Sequence, residues 1–352
     1  MSDPLLQVLG AGATTSVGLG LAATTAAIRA AVDNFQDTQF YDEIGEPLLG
    51  AAVPLRFPGD PDDETRTGGS ARFGYLLSLA VEECLASAGV SLPLSEKVPL
   101  LLLGDDTRPG PMLETAYAAQ GRCAHFFAQP GRLHMRAFTG GESSCIAALA
   151  AASRFIAQGA PHVLIASVDS WLNNPDVGHG LRHERFLTSR QTAGFIPGEA
   201  AAAILVGADT STNTTTLRVR GLGLADEPAT IFSDEPNSGK GLSKAIARAL
   251  GEAGLSPHEM NLRLCDVAGE EYFFKESGYA WGRVLRHPLP PGYRYLQPAT
   301  RVGHVGAAFG PLLIGYLWRL AQVDRLPGPH ALIHLSSTHS LRGALVLSQR
   351  SH

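Results

Sequence analysis

Along this chain, short unbroken apolar runs alternate with segments whose apolar residues recur at helical spacing. Residues 98–103 (VPLLLL) and 163–166 (VLIA) are apolar without alternation, as in strands covered on both faces. Residues 5–9 predict a strand, 10–12 (Gly-Ala-Gly) a tight turn, and about 15–32 an Ala-rich helix. A second helix is expected over 69–89, with Phe73, Leu76, Leu77, Leu79, Ala80 and Cys84 on its apolar side. A helix near 112–120 and a strand over 133–138 follow. The polar stretches 33–70 and 169–192 read as surface excursions. Residues 208–216, rich in Asp, Ser, Thr and Asn, separate this part from a second that restarts with a strand at 217–223 and a helix at 239–254. A small-residue helix within 302–318 and a strand-turn-strand over 331–347 complete the pattern. The run 302–318 contains His304, Pro311 and several glycines, so it reads as a core helix with its preceding loop rather than a membrane span.

The segment 139–168 organises the rest. Thr139-Gly140-Gly141-Glu142 fits a capping box, Ile146, Leu149, Ala150 and Phe155 fall near helical spacing, and Gly159 closes the helix before the 163–166 strand. A helix this apolar and small-sided should be buried, and its N-terminus then presents unpaired N–H groups to an anion or a nucleophile. Two other patterns carry less. Gly10-Ala11-Gly12 lacks the third glycine of a dinucleotide fingerprint, Thr15 standing in its place, so a plain turn is expected. His179, His183 and Glu184 lack the further ligands that a metal site needs.

Composition narrows the class. With 352 residues, 45% hydrophobic and 17% charged, the chain has material for two domains or halves. A net charge of −5, without a basic run, argues against nucleic-acid or polybasic membrane binding. Cys84, Cys123, Cys145 and Cys265 show no CxxC spacing, and the first residues lack a signal-peptide pattern. A cytoplasmic protein with reduced, buried thiols is expected.

Five landmarks, in order along nearly the whole chain, resemble the β-ketoacyl synthases, the condensing enzymes of the thiolase superfamily. They are the opening strand with Ser16-Val17-Gly18, the 139–168 segment, and Gly194-Phe195-Ile196-Pro197-Gly198-Glu199-Ala200. The fourth is the helix-turn-strand RALGEAGLSPHEMNLRLCDVAGE, and the fifth is TRVGHVGAAFGPLLIGYLWRL. The resemblance implies an α/β thiolase-like fold, two similar βαβαβαββ halves forming a layered α-β-α-β-α sandwich, with boundaries at 1–210 and 211–352. It implies a central site where the N-termini of two buried helices meet, bringing Glu142 and His304 face to face, with Phe195, Ala268, Thr338 and His339 around the pocket.

The same alignment exposes departures. Glu142 stands at the nucleophile position, and Cys145 lies three residues further in. Ala268-Gly269-Glu270 occupies the place of a His-Gly-Thr. Arg301 is the nearest cation where the family has a Lys, and Ser337-Thr338-His339-Ser340 replaces a glycine-rich gate. Claisen condensation needs a thiolate and donors for the developing enolate, so the family mechanism is not expected here. Three readings follow. The first is a non-condensing partner or binding subunit, with Glu142 a capping residue, Glu199 structural and His304 a core histidine. The second is an acyl-thioester decarboxylase, hydrolase or acyltransferase in which His304 polarises the carbonyl and Glu142 is the base. That second role needs a raised Glu142 pKa, which a helix N-terminus opposes. The third makes Cys145 the nucleophile, beside His304 or His339. Neither a cofactor nor a metal is implied. A homodimer, or a heterodimer with a synthase-like subunit, is implied, with an acyl carrier protein as a further partner, although no basic docking run stands out.

Overall fold

A computed structural model describes residues 5–55, 69–95, 97–109, 121–128, 134–210 and 215–349. Its strands are β1 (Leu6–Thr15), β2 (Gln36–Tyr41), β3 (Pro47–Gly50), β4 (Leu100–Leu103), β5 (Met135–Phe138), β6 (Val163–Ser170) and β7 (Glu199–Ala208). The later ones are β8 (Leu217–Asp226), β9 (Leu262–Cys265), β10 (Arg294–Leu296), β11 (His330–Ser336) and β12 (Leu341–Gln349). Apart from the β2–β3 hairpin they form one ten-stranded sheet, in the order β5-β4-β6-β7-β1-β8-β12-β11-β9-β10. Numbered within its own group of five, each side of the β1–β8 seam has the same order, 3-2-4-5-1. The strand senses also match. β5, β4 and β6 are parallel, as are β10, β9 and β11, while β7 with β1, and β12 with β8, run antiparallel. The seam is narrow: only Leu6, Gln7 and Val8 pair with Val219, Arg218 and Leu217.

The helices are α1 (Leu21–Ala30), α2 (Ser70–Ala88), α3 (Ser144–Ala157), α4 (Asn174–Arg182), α5 (Lys240–Ala253), α6 (Glu271–Val284), α7 (Ala299–Val302) and α8 (Phe309–Gln322). α2 covers β1 and β7, and α5 covers β8 and β12. α3 and α8 occupy the layer between, where α3 touches β4, β6 and β7 on one side and β8 and β12 on the other. Their lack of a polar face is what that position demands. In α8, the residues from Phe309 to Trp318 are all buried. No helix among the described residues is long and apolar enough to cross a membrane.

Several expectations need correction. Gly10-Ala11-Gly12 is not a turn; β1 runs through it to Thr15, and the helix starts at Leu21. The glycines instead admit the backbone of α2: a Cβ at Gly12 would sit 2.1 Å from the Ala80 carbonyl oxygen, and one at Gly10 2.5 Å from that of Cys84. β8 repeats the device, with Gly221 and Gly223 each 2.0 Å, by the same construction, from the carbonyl oxygens of Ala249 and Ala245 in α5. Gly223→Ala should therefore push α5 off the sheet and cost about 1–3 kcal/mol. An unchanged urea midpoint would refute that account. The described part of 33–70 holds the β2–β3 hairpin, and 169–192 holds α4, started by the Asn173 side chain accepting from the Asp176 N–H at 3.0 Å. The helix expected at 112–120 lies outside the described residues.

Candidate functional site

The turn before α3 is fixed from two directions. The Gly141 N–H donates to the Gly104 carbonyl, just beyond β4, at 3.0 Å. From the β11–β12 turn, Ser337 Oγ accepts from the Ser143 N–H at 3.1 Å and donates to the Gly140 carbonyl at 2.6 Å. Gly141 takes a left-handed φ of 60°, which a glycine tolerates without strain. The expected capping box is absent: neither the 3-10 turn Gly141–Ser143 nor α3 has a side-chain cap, and the Gly141 and Ser143 N–H groups are satisfied from elsewhere in the fold. The Glu142 carboxyl accepts from its own backbone N–H and points at His304.

His304 is held on both sides of its backbone. Its N–H donates to the Ile196 carbonyl at 2.8 Å, and its carbonyl accepts from the Gly198 N–H at 2.9 Å. Its ring lies among Phe195, Trp171 and Phe309, with centroids at 4.5, 5.6 and 5.5 Å. Nδ1 accepts from the Gly306 N–H at 3.2 Å, so the neutral ring carries its proton on Nε2, which faces Glu142 Oε1 at 3.5 Å. Glu142 is 1% exposed and His304 5%, and Glu142 Oε2 has no partner.

Electrostatics keeps both groups uncharged. Burial, then the charges of Asp105 and Asp266, push the Glu142 carboxyl up to about 8. Burial and the nearby Arg185 and Arg108 guanidiniums hold the His304 imidazole well below its usual range. The backbone N–H at the helix start does lower the Glu142 carboxyl, as expected, but desolvation of a fully enclosed carboxylate outweighs it. Asp266, which accepts from the Ser336 N–H at 2.7 Å, is likewise pushed up by burial to about 7.

Two buried arginines frame the pair. Arg108 reaches Asp105 at 3.2 Å, Asp169 at 2.5 Å and Asp176 at 3.2 Å, and lies 4.3 Å over the Trp171 ring. Asp169 in turn accepts from the Ala307 N–H at 2.8 Å, tying this cluster to the loop that carries His304. Arg185 grips Glu270 through two bonds of 2.7 and 2.8 Å, donates to Thr338 Oγ1 at 3.0 Å, and lies over Trp171 and Phe195. Arg108 and Arg185 carry no signal in the sequence, and Glu270 stands out there only as a departure from the resembled family. The available signal was the position of Glu270 after Ala268-Gly269, where the resembled family has Thr.

Of the expected pocket residues, Phe195 packs against the His304 ring, Thr338 holds Arg185, and Ala268 packs half-buried near Phe195. His339 stands apart, exposed against Phe232 with ring centroids 6.1 Å apart. Cys145 is fully buried in the central core against Gly310 of α8, and burial pushes its thiol up to about 12. Glu199 pairs with Arg72 at 2.7 Å and accepts from the Val53 N–H at 3.1 Å, both structural contacts. His179 and His183, at the C-terminal end of α4, have ring centroids 4.5 Å apart at a tilted angle, and among the described residues no cluster of three or more His, Cys, Asp or Glu could hold a metal ion. All four cysteines are free and buried. Iodoacetamide at pH 8 should leave the native mass unchanged and add four labels in urea; a native label would show one thiol accessible.

No protein-family model matches the chain. A curated Streptomyces coelicolor protein, named as an actinorhodin polyketide beta-ketoacyl synthase 2, is 30% identical over 178 residues. That match spans 47% of this chain and 43% of the relative. Among solved structures, a type II polyketide acyl-carrier protein in complex with its ketosynthase bound to the hexaketide superposes with a TM-score of 0.77 at 14% identity. It covers 99% of this chain and 100% of that one. A ketosynthase in complex with its chain length factor from Xenorhabdus doucetiae gives 0.73 at 14% identity, over 99% of this chain and 98% of that one. The ishigamide ketosynthase/chain length factor gives 0.69 at 18%, over 99% and 100%. The layered topology and these superpositions together establish that the chain has the ketosynthase-like thiolase fold.

Proposed function

We propose that the chain is a non-condensing, ketosynthase-like subunit that pairs with a condensing ketosynthase and acts on a carrier-bound polyketide or fatty acyl chain without bonding to it. The observation that carries this reading is the buried Glu142–His304 contact at the start of α3. A carboxyl held protonated there cannot serve as an acyl carrier, and the nearest thiol, Cys145, is walled into the core. Similarity to ketosynthase–chain length factor complexes supports a heterodimer, and similarity to a ketosynthase–carrier complex supports an acyl carrier protein as the further partner. Reduced thiols suit a cytoplasmic setting. The test is co-expression with a ketosynthase of the same biosynthetic system, followed by sedimentation, and incubation of the pure protein with malonyl- and acyl-thioesters. A stable one-to-one complex, an unchanged intact mass and no CO2 release are expected. An adduct on Cys145, or CO2 above a heat-denatured control, would overturn the reading.

One observation favours a second reading. Glu142 carries a proton near neutral pH, and its Oε2 has no partner, so it can donate to a thioester carbonyl beside the neutral His304. Decarboxylation or hydrolysis would then be lost in both Glu142→Gln and His304→Ala, with the fold retained. Turnover surviving in either variant would exclude it.

A further inference from the structure

Away from this site, the outer face of the second five-stranded group carries a cluster of buried polar groups without partners. Strand alternation sets it up. Leu262 and Leu264 of β9, and Ala331, Ile333 and Leu335 of β11, face the central core, which turns Arg263, Cys265 and His334 to the opposite face. The parallel register places Leu332 beside Arg263 and His334 beside Cys265, so Arg263 and His334 are diagonal neighbours on that face. β10 adds Tyr295 opposite Arg263.

The Arg263 side chain is buried, with its guanidinium carbon 4.0 Å over the Tyr295 ring and 4.6 Å over that of Trp281. Its Nε and Nη1 have no hydrogen-bond partner, nor have either ring nitrogen of the buried His334 and the hydroxyl of Tyr293, whose ring stacks on Trp281. The Tyr295 hydroxyl is already engaged, by Cys265 Sγ at 3.1 Å and Ser277 Oγ at 3.3 Å. Burial dominates the titration of Cys265, Tyr293, Tyr295 and His334, and the Arg263 charge makes a smaller contribution at each of the four.

A guanidinium only donates, a phenol can donate, and a neutral imidazole offers one N–H. The two aromatic faces offset part of the cost of burying the cation but fill none of its N–H positions. Water would satisfy donors without neutralising the charge; one negative ion does both. We propose that this face binds a small monovalent anion between Arg263, His334 and the Tyr293 hydroxyl. Bound there, the ion links β9 and β11 to the segment leading into β10, a role independent of Glu142 and His304.

Two measurements test it. Melting is compared in sodium chloride and sodium gluconate at equal ionic strength, for the wild type and for Arg263→Met. The wild type should show a saturable rise of about 3 °C with chloride that the variant lacks. Crystals grown in sodium bromide should show an anomalous peak within about 3.5 Å of the guanidinium nitrogens. This second measurement needs only the wild type, so it stands even where the variant does not fold. Equal chloride responses in the two proteins, or water in place of bromide beside Arg263, would overturn the proposal.

Discussion

Arg185→Met is expected to destabilise the protein by about 3–5 kcal/mol, because it strands a buried carboxylate. Glu270 is 4% exposed, and Arg185 supplies both of its short bonds. The same guanidinium also fixes Thr338 and packs over two aromatic rings, so its removal loosens the β11–β12 turn and the His304 surroundings together. The double variant Arg185→Met/Glu270→Met should recover most of the loss, since removing both charges also removes their desolvation cost. Urea denaturation of the two single variants and the double decides. A double variant as unstable as Arg185→Met would mean that lost packing, and not an uncompensated charge, is the cause.

The second large effect lies in the pH dependence of stability. An unfolded glutamate titrates near 4.5, whereas Glu142 in the folded chain titrates near 8. Between those values the native state keeps a proton that the unfolded state has released. Its stabilisation is therefore complete below about 4.5 and lost as pH rises through about 8. The loss is on the order of 4 kcal/mol. Asp266, raised to about 7, contributes in the same direction. Glu142→Gln cannot titrate, so its stability should fall less between pH 5 and 8 and should exceed that of the wild type at pH 8. Parallel profiles for the two proteins would show that Glu142 is already ionised at neutral pH.

The features legible in the sequence were those set by local periodicity. Leu100–Leu103 is apolar throughout and became a strand covered on both faces, and the spacing of Phe73, Leu76, Leu77, Ala80 and Cys84 marked the buried side of α2, with Leu79 only half-buried. The elements missed were those whose determinants lie far along the chain. The Thr139–Glu142 pattern is a sound capping signal in isolation, but Ser337, 194 residues away, takes the N–H of Ser143. Arg185 and Glu270 are 85 residues apart, and each alone reads as a solvated charge. α4 escaped because Gly178 and Gly180 dilute its helical signal, while Asn173 and Pro175 start it. Gly10-Ala11-Gly12 looked like a turn because no sequence pattern announces the approach of α2.

The position of β1 also has a consequence during synthesis. It leaves the ribosome well before its partners, which are β7, through Leu6↔Ala208 to Thr15↔Ala200, and β8 at the seam. Translation from Thr15 to Ala200, at roughly 5–20 residues per second, takes roughly 10–40 s. Throughout that interval this ten-residue segment, destined to be buried, has no strand to pair with. Nascent chains halted before residue 200 should therefore be held by chaperones and remain sensitive to protease near residues 6–15, with protection arising once β7 has emerged.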